Sequence, residues 1–255
     1  MPIPLAVWAA AGLGAAGVKL YKSVNSAKNI VDNAIARYSE ERYKFFKKEE
    51  DLLPVIEELG HVPTNVYGKT KLIIEGMLAD YAKAYDLRYV SLRYFNAAGA
   101  APLGNIGEDH NPETHLIPLV LKAALGKQDH VAIFGTDYPT KDGTCIRDYI
   151  HVCDLATAHV LALDYLIKGG TSNVYNLGSQ NGYSVREIIE AAKKVTGKDF
   201  PVVEKPRRAG DPAVLIASSE KIKKELHWQP EHTNIEDIIA TAWRWHSSHP
   251  DGFAK

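Results

Sequence analysis

From residue 67 onward the sequence alternates between helical and strand-like hydrophobic patterns, and this alternation restricts the fold more than any other feature. Residues 72–85 carry apolar side chains at helical spacing, and residues 88–95 then run through β-branched and aromatic side chains into Asn96-Ala97-Ala98-Gly99. The same reading predicts a short helix over 118–125, strands over 131–135 and 146–152, and a helix over 155–167. A strand over 174–177 and helices over 185–196 and 235–246 complete the series. Helix and strand in regular succession specify an α/β fold.

The alternation begins at Asn65-Val66-Tyr67-Gly68-Lys69-Thr70-Lys71. On a helix, residues four apart share a face, so Tyr67 and Lys71 belong to one surface. An ammonium beside a phenol favours the phenolate, lowering its pKa from about 10 toward neutrality and making it usable as a general base. Tyr67 is therefore a candidate acid/base and Lys71 its tuner.

The first sixty residues follow another pattern. Residues 3–18 carry no charge, and Lys19 and Lys22 close the run. It is slightly shorter than the ~20 residues an upright membrane helix needs, so residues 1–22 are read either as an apolar helix anchored weakly in a membrane or as one packed on protein. Gly12, Gly14 and Gly17 spell G-x-G-x-x-G, but an Ala-rich helix former precedes them where a dinucleotide fold requires a strand. Small residues that let helices approach closely are the simpler reading. Residues 23–60 read as a charged helical segment, dense in charge over 40–51, with Pro54 imposing a kink. The breakers at 60–63 mark a domain boundary, which sets residues 61–255 apart as a second region.

A chain of 255 residues that is 45% hydrophobic and 24% charged builds a globular core, which excludes a disordered protein. Its formal net charge of −1 supplies no basic field for nucleic acid. Cys145 and Cys153 are too few for a disulfide framework and are read as small buried hydrophobes, consistent with a reducing, cytoplasmic location. Glu108, Asp109, His110 and His115 form a polar loop, and no metal site is expected there.

Several runs together resemble the UDP-glucose 4-epimerases of the extended short-chain dehydrogenase/reductase family. They are Tyr67-Gly68-Lys69-Thr70-Lys71, Leu92-Arg93-Tyr94-Phe95-Asn96, Gly107-Glu108-Asp109, Ala132-Ile133-Phe134-Gly135, Asp142-Gly143-Thr144, Arg147-Asp148-Tyr149-Ile150-His151-Val152, Tyr175-Asn176-Leu177-Gly178 and Pro206-Arg207-Arg208-Ala209-Gly210-Asp211. The resemblance covers about three quarters of the chain. It implies part of a Rossmann-type sheet plus a small substrate domain, preceded by an α-helical N-terminal segment.

The resemblance further implies that Tyr67 removes the proton from the sugar 4-hydroxyl while NAD takes the hydride, giving a 4-keto sugar that turns over before hydride returns. Lys71 would also hold the nicotinamide ribose, and Tyr94 and Phe95 would lie along the nicotinamide. Asn96 would bind the sugar or its phosphate. His115, Leu116, Ala132, Phe134, Arg147, Arg208 and Asp211 match the uridine-diphosphate pocket, and Leu215 falls where the family faces the sugar 2-position. The expected partners are a UDP-sugar, no nucleic acid, a weak membrane association through residues 3–18, and a second copy in a homodimer. The strand and glycine-rich turn that hold NAD in the family are not identifiable before Tyr67. The expectation for the chain alone is therefore that it holds no NAD, with a non-catalytic UDP-sugar binder as the alternative to an active epimerase.

Overall fold

The computed structural model describes residues 66–208 and 210–253. The segments 1–22 and 23–60, with the glycines and the membrane reading attached to them, lie outside the described residues. The chain divides into two compact units, Met1–Ala84 and Tyr85–Lys255. Of the first, α1 (Val66–Tyr85) is described, a 20-residue helix beginning six residues before the pattern predicts. Leu, Ile, Met and Ala favour it, Lys83 in its last turn complements the helix dipole, and Asp86 at φ 55° stops it in the left-handed region.

The second unit holds the sheets. Strand β1 (Val90–Arg93) pairs in parallel with β6 (Asn173–Asn176), and β2 (Asn96–Ala98) in parallel with β5 (Tyr149–His151). The expected strand over 88–95 is thus shorter, with Tyr94 and Phe95 left between β1 and β2. Helix α3 (Val152–Ile167) connects β5 to β6. Its Leu155, Ala158 and Ala162 are buried with Tyr175, Leu177 and Trp228, together with Ile222 and Leu226 of α5 (Glu220–Leu226). Each large apolar side chain so buried contributes about 1.5–3 kcal/mol. Asp154, in the first turn of α3, is 2% exposed, and its carboxylate accepts the backbone N–H groups of Glu231 and His232 at 2.9 and 3.0 Å. Its carbonyl accepts the Trp228 indole at 3.0 Å. A buried carboxylate is tolerated because it is hydrogen-bonded.

A second core lies between α2 (Leu116–Ala124), α4 (Val185–Thr196) and α6 (Ile235–Ser248), beneath β3 (Val131–Phe134). Helix α4 begins with a capping box, Ser184 accepting from the Glu187 N–H while the Glu187 carboxylate accepts from the Ser184 N–H, and Gly197 ends it at φ 64°. Strand β3 pairs in parallel with β8 (Val202–Lys205). Strand β4 (Ile146–Arg147) lies between β7 (Tyr183–Ser184), antiparallel, and β9 (Val214–Leu215), parallel. The expected strand over 146–152 is therefore two strands in different sheets, divided at Asp148.

Cys145 is buried and Cys153 half-buried, and both are free thiols. No helix among the described residues is long and apolar enough to cross a membrane.

Candidate functional site

Residue alternation on two short strands builds the site. On β3, Val131 and Ile133 are buried in the core, while Ala132 and Phe134 lie on the opposite, half-buried face. On β4, Arg147 pairs in register with Leu215 of β9 and Tyr183 of β7, so the three belong to one row across the sheet.

One loop joins these two faces. After β8 the chain reaches Arg208, whose guanidinium stacks 3.9 Å from the Phe134 ring centroid. Three residues on, the Asp211 carboxylate accepts the Arg147 guanidinium at 2.9 Å, the Arg147 side chain being 14% exposed. The Asp211 N–H turns back to the Arg208 carbonyl at 3.4 Å. The loop then enters β9, where the Ala213 carbonyl accepts the Ile146 N–H at 2.8 Å. The loop thus links Arg208 to Phe134, with Ala132 on the same face of β3, and Asp211 to Arg147, which lies in register with Leu215.

Arg147 does not pair with its sequence neighbour. Successive side chains on a strand point to opposite faces, and Asp148, 1% exposed, accepts instead from the Ser179 N–H and hydroxyl at 2.9 and 2.6 Å and from the Ala217 N–H at 3.0 Å. Sequence reading missed Asp148 as a positioning residue; its one signal was a carboxylate in the middle of a segment read as a strand. The Asn96 amide donates to the Asp148 carbonyl at 2.8 Å, which sets Asn96 beside β4. Tyr94, 38% exposed, and Phe95, 44% exposed, lie at the carboxyl end of β1, the end at which parallel α/β sheets take ligands. The Tyr94 ring meets His159 edge-on at 6.2 Å.

His115 is the N-cap of α2 and Leu116 its first residue. The His115 Nδ1 lies 3.1 Å from Glu108 Oε1 and 2.9 Å from Glu113 Oε1. Hydrogen bonds to Glu108 and then Glu113 push the His115 pKa up to about 10 against the opposing effect of burial. Burial opposes ionisation of Glu113, yet bonds from the His115 ring and from the backbone of His115 and Thr114 hold its pKa below the usual carboxylate value. Glu113 was not singled out from the sequence. Tyr67 and Lys71 lie one turn apart on α1, in the other unit.

A family model described as GDP-mannose 4,6 dehydratase matches residues 49–242. A UDP-glucose 4-epimerase of Halalkalibacterium halodurans is 55% identical over 202 residues, covering 79% of this chain and 60% of that protein. Among solved structures, UDP-glucose 4-epimerase from Brucella ovis in complex with NAD is 50% identical with a TM-score of 0.69, covering 72% of this chain and 57% of that one. The Bifidobacterium longum UDP-glucose 4-epimerase in complex with NAD+ and UDP is 43% identical with a TM-score of 0.71, covering 76% and 58%. The chain spans about 60% of the length of the curated relatives it matches.

Proposed function

Because this chain belongs to the family described as GDP-mannose 4,6 dehydratase, and aligns with UDP-glucose 4-epimerases at about half identity, we propose that it binds UDP-sugars and serves the interconversion of UDP-glucose and UDP-galactose. The observation that carries this reading is the 208–211 loop, which sets Arg208 on the Phe134 ring and Asp211 on Arg147. One guanidinium on a half-buried aromatic and a second held by the carboxylate of the same loop suit a nucleoside diphosphate. The guanidiniums clamp the phosphates bidentately, the ring packs on the base, and Asp211 offers acceptors to ribose hydroxyls.

In this reading His115 and Leu116 receive the diphosphate at the start of α2, where backbone N–H groups favour anions. Ala132 lets the base approach the strand. Asn96, half engaged with the Asp148 carbonyl, orients the sugar. Tyr67 holds and moves the proton of the sugar 4-hydroxyl, and Lys71 favours its phenolate. Leu215, in register with Arg147, bounds the sugar 2-position. Tyr94 and Phe95, together with Lys71, are the residues that would hold NAD, their exposure at the strand end fitting a flat ring. When bound, NAD supplies the hydride acceptor and donor at the sugar 4-carbon.

The test is calorimetric titration of the chain with UDP, beside UDP-glucose turnover assayed with NAD added. Binding of UDP weakened about tenfold or more by Arg208→Ala and by Arg147→Ala is the expected result, the loss of one charge-assisted contact. UDP binding that is absent, or indifferent to both substitutions, overturns the reading.

A further inference from the structure

The loop between Gly107 and α2 brings four donor atoms to one point. Glu108, His110, Glu113 and His115 each offer one ligand atom, and these atoms all lie within 4.8 Å of one another. The pairwise separations are 2.7 Å from His110 Nδ1 to Glu108 Oε1 and 3.8 Å from His110 Nδ1 to Glu113 Oε2. From His115 Nδ1 they are 3.1 and 2.9 Å to the same two carboxylates. A tetrahedral ion held at about 2.0–2.1 Å by nitrogen and oxygen ligands sets them roughly 3.3 Å apart. The four imidazole–carboxylate separations lie on both sides of that edge, from 2.7 to 3.8 Å.

We propose that Glu108, His110, Glu113 and His115 form a binding site for a divalent transition-metal ion of the zinc class, adjoining the proposed uridine-diphosphate pocket and sharing His115 with it.

Chemistry and burial support it independently of distance. Two imidazoles with two carboxylates make a donor set suited to zinc or cobalt more than to magnesium or calcium, which prefer oxygen alone. The Glu113 side chain is 3% exposed and Glu108 21%, whereas His110 and His115 are 55% and 50% exposed. The carboxylates thus form the floor and the imidazoles an open rim through which an ion can enter. Among the described residues neither carboxylate has an ion pair with lysine or arginine. The site is anchored from beneath, since the Glu108 carbonyl accepts the indole N–H of Trp245, itself 1% exposed, at 3.1 Å.

The experiment uses the full, untagged chain after dialysis against chelator. Titration with Co²⁺ should give the visible d–d absorption of a tetrahedral centre at one ion per chain, displaced by Zn²⁺. His110→Ala should weaken Zn²⁺ binding about tenfold or more, Glu113→Gln should do likewise, and His130→Ala, outside the cluster, should leave it unchanged. Co²⁺ without tetrahedral bands in the native chain overturns the proposal, as does Zn²⁺ affinity equal in native, His110→Ala and Glu113→Gln. The native spectrum decides even if a variant fails to fold.

Discussion

Replacing Asp148 by Asn tests whether one buried carboxylate holds in place the strands of the proposed nucleotide site. Asp148 Oδ1 accepts two hydrogen bonds from Ser179, and Oδ2 accepts one from Ala217. Asn is nearly isosteric but turns one acceptor into a donor. In its best orientation it keeps Ser179 and sets its NH2 against the Ala217 N–H. The loss of a charge-assisted bond, about 1.5–3 kcal/mol, joins the cost of leaving a buried donor unmade, about 1–3 kcal/mol. Relief from burying a charge offsets part of this, so a net loss of about 3 kcal/mol is expected. With a urea dependence of about 2 kcal/mol per molar, the midpoint should fall by roughly 1.5 M. UDP affinity should fall as well, because Ala217 lies two residues beyond Leu215 in β9. Urea unfolding followed by tryptophan fluorescence measures the first, and a midpoint lowered by less than about 0.5 M would refute the reasoning. An Asp148→Asn, Ser179→Ala cycle should show strong non-additivity.

Two further outcomes are expected. His151 is fully buried, its Nε2 3.0 Å from the Thr241 hydroxyl and its ring stacked on His232, and burial, then the His232 charge, pushes its pKa down to about 4. The unfolded chain therefore takes up the proton first. Stability from this group is complete above pH 6.5, declines toward pH 4 by about 3 kcal/mol, and falls no further below that; denaturation at pH 6.5 and 5 should show the decline in the native chain but not in His151→Asn. Leu215→Tyr should selectively weaken UDP-N-acetylglucosamine relative to UDP-glucose, because a larger side chain in register with Arg147 fills the space an acetamido group needs, and equal affinities for both sugars in the variant would rule Leu215 out as the gate.

Local rules made some elements legible and left others hidden. Helix α4 was readable to the residue because Ser184, Glu187 and Gly197 announce both ends. Helix α3 starts three residues earlier than its apolar pattern because His151, an unusual N-cap, accepts the Cys153 N–H at 3.1 Å. Strand β8 escaped notice because its last three residues are exposed and carry no alternation, and β9 because two residues hold no period. The site was legible only by resemblance. Nothing in spacing pairs Phe134 with Arg208 or Arg147 with Asp211, since those contacts depend on which sheet each strand joins. Likewise Glu113 looks like any loop acid until the fold turns it beneath His115.

The 206–213 connection leaves β8 in one sheet and enters β9 in another, delivering Arg208 to Phe134 and Asp211 to Arg147 on the way. Its length therefore acts as a selector. One residue inserted after Asp211 would slide β9 by a single position and bring Val214 opposite Arg147 in place of Leu215, turning Leu215 to the other face. In the proposed site, what meets the sugar at that point is decided by how many residues the chain spends between the two sheets, and a change of loop length alone could alter ligand preference with no pocket residue substituted.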